Sequence, residues 1–239
     1  MRRYGVLIIG VVVAAVCVRL GFWQLSRLRQ RQAFRARVES GLRRPTFELT
    51  ARSALPMVTF GTPDSLAYNP AVARGVFDFT HQMVLIGRTV DQVPAVYVVT
   101  PLHLFGGAAV LVERGWVPSP DAYSVNLDSL AERDTADVNG ILLTVTANQP
   151  PATQDTTWPV HLASDDPSRL GPSFPYPLLP WVLRRTEAPP GAPAGLRPIP
   201  APAIDNGPHL SYAIQWFSFA LIALIGSAVL YRKTVSGER

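Results

Sequence analysis

Asn206-Gly207-Pro208-His209-Leu210-Ser211-Tyr212-Ala213-Ile214-Gln215-Trp216-Phe217 runs without a break into an apolar segment ending at Tyr231. The segment is long enough to cross a bilayer as a helix, which takes about 20 apolar residues. Spanning needs only apolar bulk, yet this helix opens with His, Tyr, Gln and Trp. Polar groups are costly near lipid and so point to function. The plainer alternative is anchoring at the headgroup level, which Tyr and Trp favour in any case.

A second apolar stretch, Gly5 to Val18, lies at the other end and continues through Arg19 to Leu25. Counted that far it also spans, with Arg19 near one end, where its stem can reach the headgroups. Met1-Arg2-Arg3 followed by this stretch has the outline of a signal peptide. No small-x-small cleavage site follows, and Val16 before Cys17 is bulkier than a lipoprotein site takes, so an uncleaved anchor is expected. The leader lacks the amphipathic Arg/Ser-rich character of a mitochondrial transit peptide. Cys17 is the only cysteine, which excludes an internal disulfide, a thiolate zinc site and a C-x-x-C redox pair.

The net charge of +5 conceals a division. Residues 1–44 carry ten Arg and one Glu, whereas residues 45–208 carry nine Arg and fifteen acidic residues. Basic charge therefore flanks the membrane segments and the middle is acidic. That pattern selects anionic lipid headgroups, not nucleic acid, as the basic partner. It leaves orientation open, because Arg27 to Arg44 is richer in Arg than either terminus while long domains translocate regardless of charge.

Between the apolar segments the expected organisation is a basic juxtamembrane helix over 27–44, ended by Gly41 and Pro45, then a β-rich domain over 45–208. Residues 46–70 read as irregular. Gly75–Phe79, Met83–Val90, Ala95–Thr100 leading into Phe105, and Ala109–Val117 read as strands, the last two joined by a Gly106-Gly107 hairpin. Pro101 predicts an edge or bulge. A short helix fits Ser129–Asp134, and Val138–Ala147 is a further strand with a bulge at Gly140. Fifteen of the 23 prolines fall between Pro150 and Pro208. That segment is expected to supply little regular structure, and to wrap the sheet through Phe174, Tyr176, Trp181 and Leu183 or to be partly mobile. The fold class expected is two transmembrane helices, 1–26 and 209–231, flanking a mainly antiparallel β domain, with a tail at 232–239.

Helical spacing puts His209, Tyr212, Ala213 and Trp216 on one face, with small Ala213 leaving room for a flat ligand. Arg19, Trp23 and Arg27 align at i+4 spacing on the first helix, at a depth matching His209. Together they outline one interfacial site: an imidazole able to ligate a metal, and guanidinium and indole groups able to hold a carboxylate such as a haem propionate. The alternative is ordinary interfacial anchoring and helix packing. Period-2 alternation places Val110, Val112, Arg114 and Trp116 on one strand face, Arg114 either stacking on Trp116 or rimming the core. His81, His103 and His161 stand isolated along the chain. Asp165-Asp166 is a carboxylate pair of the kind usually solvated. There is no H-E-x-x-H, G-x-S-x-G, P-loop or G-x-G-x-x-G, so no enzyme is expected.

Four ordered motifs resemble the surfeit-locus-1 family of cytochrome c oxidase assembly proteins. They are Leu20-Gly21-Phe22-Trp23-Gln24-Leu25-Ser26-Arg27, Val99-Thr100-Pro101-Leu102, Val112-Glu113-Arg114-Gly115-Trp116-Val117-Pro118 and His209-Leu210-Ser211-Tyr212-Ala213-Ile214-Gln215-Trp216-Phe217. Departures are Glu113 where the family has Asn, Gly87-Arg88 in place of Asn-Arg, Val93-Pro94-Ala95 in place of a Gly-rich approach, and the Pro-rich stretch. The resemblance implies a non-enzymatic assembly factor in a bacterial inner membrane, with both termini cytoplasmic and the β domain outside. It implies haem A as cofactor, His209 as candidate ligand to the haem iron, and partners in oxidase subunit I and other assembly factors. A scaffold that clamps oxidase subunits without haem, and a membrane-anchored ligand-binding or sensor module, are the alternatives.

Overall fold

The computed structural model describes residues 2–52, 63–145, 157–200, 202, 205 and 207–236. The chain divides into two compact units, Met1–Arg37 with Ile204–Arg239, and Val38–Ala203.

In the first unit, α1 (Arg2–Leu42) is one unbroken helix and α3 (His209–Ser236) is the other, leaving α2 for a short helix described below. Tyr4–Leu42 and His209–Lys233 are long and apolar enough to cross a membrane. Their large side chains face outward: Ile8, Val12, Val16, Leu221, Ile222 and Ile225 are exposed. The buried side chains are small, with Ala14, Cys17 and Ala220 forming one cluster against Trp216 and Ala223. Gly10 lies opposite Ser227, where a Cβ would stand 1.7 Å from its Oγ, and Gly21 lies under the Phe217 ring, 2.7 Å from where its Cβ would be. Tyr4 meets Tyr231 at 6.2 Å between ring centroids. The helices are therefore antiparallel and approach through small residues, the packing that works where lipid offers apolar side chains no advantage in leaving it.

The second unit is an eight-stranded sheet, and its order is the main surprise. The strands are β1 (Phe47–Leu49), β2 (Pro70–Phe77), β3 (Met83–Val90), β4 (Val93–Leu104), β5 (Ala109–Pro118), β6 (Thr135–Leu143), β7 (Val160–Leu162) and β8 (Leu178–Arg185). They lie in the order β1-β2-β6-β8-β5-β4-β3-β7, and β2 also pairs with β4. That extra pairing closes β2, β6, β8, β5 and β4 into a ring. Closure leaves the five ring strands paired on both sides, and the short β1 and β7 are the remaining edges. Alternate residues of all five ring strands form one core, among them Ala73, Phe77, Leu102, Val112, Leu142 and Trp181. The opposite parity, including Met83, Leu85, Leu111 and Val182, packs beneath Phe174 and Tyr176.

The sheet is mixed, not mainly antiparallel: β1 with β2, β3 with β7 and β5 with β8 run parallel. Parallel neighbours need long crossovers, and here the acidic loop, β6 and the Pro-rich segment supply the one from β5 to β8. The Pro-rich segment is thus not a peripheral wrap. It contributes β7 and β8, and β8 is central, between β6 and β5. Trp181 and Leu183 are strand residues of the inner core, whereas Phe174 and Tyr176 do pack on the outer face. Pro180 is tolerated in β8 because the β5 register shifts there, Ala109 pairing with Leu178 and Leu111 with Val182. Pro101 sits where β4 exchanges neighbours: Val99 is paired with β3 and Leu102 with β2. A missing N–H is harmless at such a gap.

Other expectations are revised. Phe47–Leu49 is a strand within the stretch read as irregular. Residues 53–62 and 146–156, and so the end of the expected Val138–Ala147 strand, lie outside the described residues, as does Asn206. A 3₁₀ turn at Asp128–Leu130 replaces the helix expected over Ser129–Asp134. Gly140 is not a bulge, since β6 pairs with β2 in continuous register. It admits the backbone of β8: a Cβ there would stand 2.3 Å from the Arg184 carbonyl oxygen.

The Gly106-Gly107 hairpin forms, both glycines having positive φ (115° and 95°). The β3–β4 turn instead places Asp91 and Gln92 at φ 49° and 66°. Two-residue turns of this kind prefer Asn-Gly, and a non-Gly residue held there costs on the order of 1 kcal/mol. Replacing Asp91-Gln92 by Asn-Gly is expected to stabilise the protein by about 0.5–1 kcal/mol, read as a raised urea midpoint with unchanged slope.

Candidate functional site

Polar groups gather in three places among the described residues. Two are in the β domain. Arg114 is the extra residue of a bulge in β5, because Val98 pairs with Gly115 and Val99 with Glu113. The bulge reverses the alternation. Arg114 therefore points into the ring with Val112, while Trp116 joins Val90, Ala95 and Ile199 in a separate cluster. The expected shared face for Arg114 and Trp116 is lost for this reason. Arg114 stacks at 5.6 Å and 5.2 Å from the Phe77 and Phe79 centroids, and it is Arg197 that covers Trp116, at 5.2 Å. Glu132 accepts from Arg114 Nη2 at 2.7 Å and from Arg185 Nη2 at 2.9 Å. Burial raises the Glu132 pKa, but the hydrogen bonds and charge of the two arginines outweigh it and hold the carboxyl below its usual range.

On the other sheet face Glu113 pairs with Arg184, Nη2 donating to Oε1 at 3.0 Å. The partner explains how a carboxylate is accommodated at a buried strand position. Asp165 and Asp166 are both buried, against the solvated pair expected. Asp166 caps α2 (Pro167–Leu170), accepting from the Ser168 N–H at 3.0 Å. Burial, with Glu113 adding to it, pushes Asp165 up to about 7. His81 and His103, far apart along the chain, meet at Asp78, whose Oδ2 lies 2.6 Å from His81 Nδ1 and accepts from the Tyr176 hydroxyl at 2.7 Å. His161 stacks on Tyr123 at 4.4 Å. Among the described residues no group of three or more His, Cys, Asp or Glu is placed to hold a metal ion.

The third place is the helix pair, where the sequence motifs converge. His209 is the first residue of α3, and its Nδ1 lies 2.8 Å from Gln24 Oε1 of α1. Gln24 is buried in a mostly apolar contact. With the amide oxygen as acceptor, this contact is a hydrogen bond when Nδ1 carries the proton, the tautomer that leaves the Nε2 lone pair free. A groove of ≈ 240 Å³ beside the ring is lined by Arg27, Gln30, Arg31 and His209. Arg27 lies 5.5 Å over the Trp23 ring and donates to Gln30 Oε1 at 3.1 Å. Gly207 holds φ +65° and borders the other edge of the imidazole: a Cβ there would stand 3.4 Å from both Cδ2 and Nε2 of His209.

Of the residues singled out from sequence, His209 and Arg27 share this groove. Trp23 supports Arg27 from outside the lining. Arg19 and Tyr212 are exposed and do not line it. Trp216 packs on the helix-pair core. Ala213 is 1% exposed, so the space expected beside it for a flat ligand is filled. Sequence reading missed Gln24, Gln30 and Arg31 as site residues. Gln24 did carry a signal: an amide on the face that otherwise presents Gly10, Ala14, Cys17 and Gly21.

The class defined by these features is a mixed-sheet domain between two apolar helices that pack through small residues and open on a histidine–arginine groove. The chain belongs to the SURF1 family, whose family model matches residues 11–221. A SURF1-like protein of Mycobacterium tuberculosis is 28% identical over 234 residues, covering 95% of this chain and 83% of that protein. SURF1-like proteins of Rickettsia felis and Rickettsia conorii are 30% and 29% identical over 108 and 107 residues. Those two matches span 44% of this chain and only 43% and 40% of the Rickettsia proteins.

Proposed function

We propose that this chain is a non-enzymatic, membrane-anchored assembly factor for a haem-copper oxidase, and that the groove at His209 holds haem A on its way to oxidase subunit I. Membership of a family known generally for oxidase assembly supports the broader statement. The observation that carries the finer one is the joining of the His209 imidazole to two arginines in one groove. Neutral imidazole ligates iron through a ring nitrogen, and guanidinium matches carboxylate geometry. The donor set thus fits haem: His209 for the iron, Arg27 and Arg31 for the propionates. In this reading both apolar helices span the bacterial inner membrane with both termini cytoplasmic, and the β domain lies outside, facing the nascent oxidase.

The test is the absorption spectrum of full-length protein purified from cells that make haem A. Wild type is expected to carry haem, and His209→Ala at least about tenfold less. Absence of haem from wild type, or equal haem in the variant, would sink the ligand role. Haem-free wild type that still co-purifies with subunit I would point to a scaffold held by the exposed apolar helix faces.

A further inference from the structure

We infer that Gln24 is a positioning residue: its side-chain oxygen holds the His209 proton on Nδ1, so that Nε2, bordered by Gly207, is presented to an electron-poor centre in the Arg27–Arg31 groove. The inference rests on the proposed reading of His209 as a ligand, and goes beyond it by assigning the group that sets the imidazole's tautomer and aim. Three observations carry it. The two residues are 185 apart in sequence yet 2.8 Å apart in space. Gln24 is 9% exposed, in a helix contact made mostly by Gly, Ala, Cys and aromatic groups, with Ser227 at its far end. Opposite edges of the one ring are treated differently, Nδ1 bonded to Gln24 and Nε2 bordered by a residue without a side chain.

The chemistry requires both halves. Free imidazole exchanges its proton between the two nitrogens, and only the unprotonated one can ligate. A hydrogen bond from the other ring N–H fixes the tautomer and raises ligand basicity, and its loss typically costs 10–100-fold in affinity. An amide gives orientation without the full charge that would be costly at a membrane surface. Gln24→Glu would keep an acceptor and make the imidazole a stronger donor, whereas Gln24→Leu keeps the bulk and removes the acceptor.

Two readouts separate this inference from the reading beneath it. In the first, full-length protein labelled with ¹⁵N-histidine is examined in nanodiscs without haem at about pH 8, where imidazole is neutral. His209 signals are identified by their loss in His209→Gln. The Nδ1–H form is expected in wild type and Gln24→Glu, and a shift towards Nε2–H in Gln24→Leu. In the second, haem A is titrated into the same proteins. Gln24→Leu is expected to bind about 10–100-fold more weakly than wild type. Gln24→Glu is expected to retain binding with a lowered reduction potential. Gly207→Ala is expected to lose affinity with the tautomer unchanged. An unchanged tautomer and unchanged affinity in Gln24→Leu would overturn the positioning role while leaving the ligand role intact. A changed tautomer in Gln24→Leu, beside a wild type that binds no haem, would overturn the ligand role and retain the positioning.

Discussion

Replacing Glu132 by Ala is expected to destabilise the protein by about 3–5 kcal/mol, because it leaves two guanidinium groups buried without a counter-charge. The Arg114 and Arg185 side chains are 0% and 4% exposed, and Glu132 is the carboxylate to which both bind. Breaking a buried pair from one side is costly in a way that replacing the whole group is not. Arg114→Met with Glu132→Leu and Arg185→Met is therefore expected to recover most of the loss. The measurement is urea unfolding of the full-length protein in detergent, followed by near-ultraviolet circular dichroism. A loss below about 1 kcal/mol for Glu132→Ala would mean that water reaches the network. The pH dependence has a definite sign. The folded carboxyl titrates below its ordinary value of 4.5, so its stabilisation is fully present above that value and is lost as pH falls through the lower, folded value. Acid unfolding of wild type should be steeper below about pH 4.5 than that of the triple variant.

Trp181→Ala is the second large effect, expected at about 3–5 kcal/mol by the same measurement. Trp181 is fully buried inside the ring, and its Nε1–H donates to the Pro63 carbonyl at 2.9 Å. Its loss opens a cavity bounded by strands on every side. Trp181→Phe keeps most of the ring and removes the hydrogen bond, for an expected cost of about 1–3 kcal/mol. A change below about 1 kcal/mol for Trp181→Ala would place this segment outside the core, as its proline content suggests.

The same residue shows where sequence reading stops. The apolar helices, the strands from Met83 to Val117 and the Gly106-Gly107 turn are local: each follows from hydrophobic periodicity or a φ requirement within a few residues. β8 does not. Leu178-Leu179-Pro180-Trp181-Val182-Leu183 sits among prolines that argue against a strand, and it becomes one because Val182 and Leu183 find β5 on one side and β6 on the other. Trp116 is a similar case, since simple alternation placed it beside Arg114 and a single bulged residue moved it to the other side of the sheet.

At the helix pair, sequence alone determined that a histidine opens an apolar helix and that arginines lie at a comparable depth on another. Residue cost in lipid and helical spacing are enough for that. Only the tertiary structure decided that the small residues face each other, that Trp216 and Ala213 serve packing, and that Gln24 is the group bonded to His209. Those choices depend on which faces of two helices meet, and their contacts join residues nearly a whole chain apart, which no local pattern specifies.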